Sequence, residues 1–66
     1  MRWKRQNYSG GRGDIATFGP WTFIAQRTPG GQWMLSFWKK GESPTRELWA
    51  TPTQCKDRAA EIVGIL

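Results

Sequence analysis

Thr51, Pro52, Thr53 and Gln54 constrain this chain more than any other feature, because they mark the start of a helix in three independent ways. Thr51 is a fitting N-cap, since its hydroxyl can accept an amide hydrogen from the first turn. Pro52 takes the first helical position, where no amide partner is needed. Gln54, three residues after the cap, completes a capping box. Beyond it, Cys55, Ala59, Ile62, Val63 and Leu66 recur at i, i+4, i+7, i+8 and i+11, one apolar stripe, with Lys56, Asp57 and Glu61 on the other side. The chain therefore ends in one amphipathic helix, and whatever that helix packs against must come from upstream.

Upstream the signal is β. Trp21–Arg27 and Trp33–Lys39 are rich in aromatic, β-branched and apolar residues. Between them lie Thr28, Pro29, Gly30 and Gly31, which suit a type II turn or a slightly longer loop, with Pro presetting φ and Gly30 tolerating positive φ. A polar turn over residues 40–44 leads to a third strand at residues 45–50. The fold class expected is α+β: a small three-stranded antiparallel sheet followed by one C-terminal helix, spanning residues 21–66. Residues 1–20 read as a basic, glycine-rich arm. Within it residues 3–8 have β-compatible aromatics at their ends, residues 9–14 read as a mobile turn, and residues 15–18 form a short extra strand closed by Gly19 and Pro20.

Sixty-six residues support one core and no more. Five Trp, three Phe and one Tyr are the visible source of stability, and they exceed what one face of a small sheet hides easily. Pairing Arg27 with Gln32 puts Trp21, Phe23, Ala25, Met34, Ser36 and Trp38 on one face and Ile24, Trp33, Leu35 and Phe37 on the other. A slip of one residue moves a whole strand's set across the sheet. Small side chains let a helix approach, so the helix is expected over the face with Ala25, Ser36 and Ala50. Trp33 and Trp49 would then lie on the open face, as surface for a partner or the N-terminal arm to cover.

Composition argues against several classes of function. The chain has no His and a single cysteine, Cys55, so there is neither an internal disulfide nor a Cys/His set for zinc, and no metal or cofactor is expected. The commonest general base is missing, Cys55 sits in the apolar stripe, and the carboxylates form no acid/base arrangement. We therefore expect a non-enzymatic protein. No apolar run approaches the roughly 20 residues of a membrane span, and no export signal follows the charged start, so an intracellular, cytoplasmic protein is expected. On the same ground Arg12, Gly13 and Asp14, the tripeptide of cell-adhesion ligands, is read as chance. The glycines around Arg12 lack the Lys and Ser/Thr of a phosphate-binding P-loop.

Ten Lys and Arg against five Asp and Glu give a net charge of +5, which suits an anionic partner or simple solubility. Basic residues interleave with aromatics on the strands: Arg27, Lys39, Lys40 and Arg46 beside Trp33, Trp38 and Trp49. Cations neutralise phosphates while flat rings stack on bases, a mixture that suits nucleic acid. Arg2, Lys4, Arg5 and Arg12 form a basic N-terminal cluster able to reach a groove or backbone.

The order of strands and helix resembles the plant AP2-type and phage integrase arm-binding domains. Gly31, Gln32 and Trp33 open the second strand, and Leu48 to Thr53 lead into Arg58, Ala59 and Ala60, over about residues 21–63. The resemblance implies a sheet laid in the major groove of DNA, with Arg27, Trp33 and Arg46 as the first contacts. DNA binding through a basic, Trp-rich sheet face, with Arg27, Trp33, Lys39, Lys40, Arg46 and Trp49 as contacts, is thus the first expectation. The alternative is a protein–protein interaction module or inhibitor, such as a phage or mobile-element product, binding a host protein through exposed Trp and Arg. Homodimerisation through an open sheet edge or face is compatible with either.

Overall fold

The computed structural model describes residues 1–8 and 11–64, with only the backbone of Tyr8 and Gly11. Ser9 and Gly10 of the glycine-rich turn, and Leu66 of the apolar stripe, lie outside the described residues. Five strands, β1 (Lys4–Tyr8), β2 (Gly11–Phe18), β3 (Trp21–Arg27), β4 (Trp33–Lys39) and β5 (Thr45–Trp49), precede one helix, α1 (Pro52–Val63). The sheet is an antiparallel meander in the order β1-β2-β3-β4-β5. The class is the expected α+β, but the sheet is larger than three strands. The N-terminal segment, read as an arm or weak strand, a mobile turn and a short extra strand at residues 15–18, supplies two strands: the extra strand is there but begins at Gly11, within the expected turn, and it pairs with residues 4–8 to extend the sheet beyond β3.

Two turns explain that extension and the register. Phe18 pairs with Trp21, so Gly19 and Pro20 alone turn the chain. Gly19 has φ +57°, the first-position glycine of a type II′ hairpin, whose twist matches the strands it joins. Between β3 and β4 the Gly31 N–H donates to the Thr28 carbonyl at 3.0 Å and the Thr28 N–H donates to the Gln32 carbonyl at 2.7 Å. Gly31, not Gly30, is left-handed, at φ +84°. Of the two expected forms this is the slightly longer loop, three residues in which a type I turn ends in a left-handed bulge residue, and not the type II turn. The added residue pairs Arg27 with Trp33 rather than with Gln32.

That single step reverses the expected faces of β4. Directly paired residues share a face, so the helix side carries Trp21, Phe23, Ala25 and Arg27 of β3 with Trp33, Leu35, Phe37 and Lys39 of β4. Trp33 pairs in turn with Trp49, and both lie under the helix side rather than on the open face. Ser36, Met34 and Trp38 are the residues that turn outward. Ala25 is covered as expected, and the small residues facing it come from the helix, where Cys55 and Ala59 are fully buried. Phe23, Ala25, Leu35, Cys55 and Ala59 form the core, with Ile62, Val63, Trp33 and Trp49 packed around it. Burial of Phe23 and Leu35 contributes about 1.5–3 kcal/mol each.

The start of α1 follows the sequence closely. The Gln54 N–H donates to Thr51 Oγ1 at 3.2 Å, and Gln54 Oε1 accepts from the Ala50 and Thr51 amides at 2.9 and 3.2 Å. The opposite end of the core is closed by rings. Trp21 stacks on Phe23 at 5.9 Å between centroids, and Trp3 reaches Phe23 at 6.5 Å, which ties the N-terminal segment to the core. No helix among the described residues is long and apolar enough to cross a membrane.

Candidate nucleic-acid interface

The register gathers cations that are far apart in sequence. Across the helix side one row runs through Arg5, Asp14, Ala25, Leu35 and Glu47. In the adjacent row Arg12 pairs with Asn7, and Arg27 pairs with Trp33 and lies on to Trp49. Gly13 pairs with Gln26, so continuing that register sets Arg12 beside Arg27. Helix α1 covers β3, β4 and β5, and its first turn stands at the edge of this polar end. A cleft of about 440 Å³ results, lined by Arg5, Arg12, Arg27 and Lys56, by Asp14, and by Trp33 and Pro52.

Four cations share this cleft with one carboxylate, and that carboxylate is already engaged. Lys56 Nζ lies 3.0 Å from Asp14 Oδ2 and also sits over the Trp3 ring, 5.7 Å from its centroid. Lys56 is thus pinned as a wall of the cleft. Arg5, Arg12 and Arg27 are exposed and enter no ion pair among the described residues. The helix end adds a favourable dipole for an anion but few donors, since Pro52 has no N–H and the capping box uses that of Gln54. Guanidinium groups are therefore the donors this cleft offers. Trp33 is half-buried, packed on the core from one side and lining the cleft on the other.

The second helix cation is also engaged. Arg58 Nε donates to both oxygens of Glu47, at 3.1 and 3.4 Å, and Nη1 donates to Glu61 at 3.0 Å. The Trp49 indole N–H donates to Glu47 Oε1 at 3.2 Å. These hydrogen bonds to Glu47, then its charge, hold the Arg58 guanidinium further into its protonated range. The arrangement is a clamp between β5 and α1. Beneath it the Cys55 thiol is pushed up to about 11, first by burial and then by the Glu47 charge, against a smaller opposing effect of Lys56. It is held neutral near neutral pH, where a nucleophile needs the thiolate.

The residues expected to form one contact surface are therefore divided. Arg5, Arg12, Arg27 and Trp33 meet in the cleft. Trp49 follows Trp33 in its row but belongs to the Glu47–Arg58 clamp. Lys39 lies at the far end of the same face, its ammonium 5.7 Å from the Trp21 ring centroid, and Lys40 begins the next turn. Arg46 and Lys4 lie on the opposite, open face, in a row through Ile15, Ile24 and Ser36. Arg2 and Lys4 border a shallow hollow over Ile15 and Thr17. Among the described strand residues that face carries no carboxylate. It also holds Met34, Trp38 and Leu48, the last 59% exposed.

Lys56, Asp14 and Pro52 are not among the contact residues expected from the sequence, although each has a place in the sequence reading for another reason. Lys56, expected on the side opposite the apolar stripe, lies beside the stripe, one position after Cys55, where its long side chain reaches Asp14 and the Trp3 ring. Asp14 was hidden in a segment that read as a turn. Among the described residues no three His, Cys, Asp or Glu side chains gather as a metal site. Compared with protein-family models, curated proteins and solved structures, the chain matches none. The functional reading accordingly rests on the chemistry of its own surfaces.

Proposed function

We propose that this chain is a small non-enzymatic DNA-binding protein that engages phosphates through the sheet-borne cleft around Trp33. The observation that supports this reading most is the division of charge on the helix side. Lys56 and Arg58 take up Asp14, Glu47 and Glu61, while among the described residues Arg5, Arg12 and Arg27 enter no ion pair and lie beside an aromatic ring. Arginine forks match phosphate oxygens bidentately, and a cleft whose cations outnumber its carboxylate by four to one concentrates a positive field.

A titration of labelled protein with mixed-sequence DNA, followed at backbone amides and the five Trp indoles at low and then near-physiological salt, tests the proposal. Three or four phosphate contacts give a log–log salt slope of about −2 to −4. Shifts should gather at Arg5, Arg12, Arg27 and Trp33, and Arg12→Ala and Arg27→Ala should each weaken binding while leaving the fold intact. Silence at low salt would sink the reading.

A second reading has its own support in the open face. Ile15, Ile24, Met34, Trp38 and Leu48 lie there without a helix over them, flanked by Lys4 and Arg46. An apolar centre with a charged rim is the make-up of a protein–protein interface. A partner protein or a second copy of the chain would occupy that face and leave the cleft free.

A further inference from the structure

We infer that the cleft receives a single nucleic-acid strand rather than a duplex, a conclusion that rests on the nucleic-acid reading above. The first argument is width. A major groove about 12 Å wide admits a two-stranded β-ribbon. Five strands span four gaps of about 4.8 Å, roughly 19 Å, so this sheet does not enter the groove face-on. On its other side α1 stands over β3 to β5 and keeps a duplex groove off the sheet.

The second argument is the order of side chains within the cleft. Trp33 stands on β4, and two cations lead away from it in its own row, Arg27 on β3 and Arg12 on β2, while Arg5 on β1 lines the same cleft from the adjacent row. An aromatic ring beside a cluster of guanidinium groups matches one base stacked on a ring and the phosphates of the strand that continues from it. In a duplex each base already stacks on its neighbours and presents only its edge to a groove. A ring set inside a cleft cannot reach a paired base. The volume, about 440 Å³, lies in the lower half of the range of small-ligand sites, roughly 300–1,000 Å³, which suits one nucleotide unit at a time.

The test compares four probes against the full chain at one salt concentration: a short mixed-sequence DNA strand, its RNA counterpart, a hairpin duplex of the same sequence, and inorganic polyphosphate. The inference expects one or both single strands to bind at least about tenfold more tightly than the duplex, with the Trp33 indole shifted by the strand and not by polyphosphate. Trp33→Ala should lose about tenfold in strand affinity and leave polyphosphate binding unchanged, while Trp33→Phe keeps most of the strand affinity. If Trp33→Ala fails to fold, the strand-to-duplex ratio and the indole shift of the unaltered protein decide. Duplex binding as tight as strand binding, or a Trp33 indole that ignores the strand, overturns the single-strand inference and leaves the polyanion reading standing. No binding of any probe overturns both.

Discussion

Cys55 shows how one residue's chemistry is set by its neighbours. From its spacing in the apolar stripe it reads as a small core hydrophobe, and it is fully buried against the sheet. Burial holds its thiol protonated, moving its pKa from 9.0 to about 11. In the unfolded chain the thiol ionises first, so the stability linked to this group is complete below about pH 9 and is lost as the pH rises toward 11. Denaturant unfolding at a series of pH values should show stability falling in that window, and Cys55→Ala should remove the part of the fall that belongs to the thiol. A thiol-alkylating reagent at pH 8 should label the native protein slowly and the denatured protein fast. Labelling at equal rates would show that the helix does not shield the thiol.

At the scale of elements, the β3–β4 loop carries the most consequence for its length. The left-handed residue is Gly31, and a Cβ added there meets nothing within 4 Å, so the cost of a side chain is one of backbone alone. Gly31→Ala should destabilise by about 1–2 kcal/mol. Gly30→Ala, whose Cβ would lie 3.8 Å from Thr28 Oγ1, an ordinary contact, should cost less. Thermal unfolding of the two variants checks the order, and the reverse order would restore the type II turn with its left-handed Gly30. The helix start needed no such correction, because Thr51, Pro52 and Gln54 act on amides within three residues of one another. The β1–β2 hairpin was hardest to read, because its pairing draws on Trp3 packing onto Phe23 and on the ladder to β3, which local composition does not display.

Over the whole molecule, the net charge of +5 is divided by the fold into a cationic cleft, a clamped helix flank and an open face whose described strand residues include Lys4 and Arg46 and no carboxylate. Among the described residues Asp14 is the one carboxylate of the cleft, with its side chain 21% exposed and paired to Lys56. Asp14→Asn should therefore tighten binding of polyanions several-fold at low salt. It should cost no more than about 1 kcal/mol of stability, the usual range for an exposed or half-exposed pair. Fluorescence anisotropy with a labelled oligonucleotide, run beside thermal unfolding, checks both, and weaker binding by a folded variant would remove the cleft from consideration. The amino-acid sequence by itself determined the helix and its cap, the last three strands β3 to β5, the apolar stripe, and the basic and aromatic residues worth testing, because each depends on neighbours a few positions away. Only the tertiary structure decided the remainder: that the sheet has five strands, that Trp33 and Trp49 face the helix, and that Arg5, Arg12 and Arg27 meet Lys56 while Arg46 does not. The physical reason is the two-residue period of a strand. One extra residue in the Thr28–Gln32 loop exchanges the faces of β4 and β5, and the register it sets is held by the loop's own hydrogen bonds together with the apolar residues that it buries under the helix.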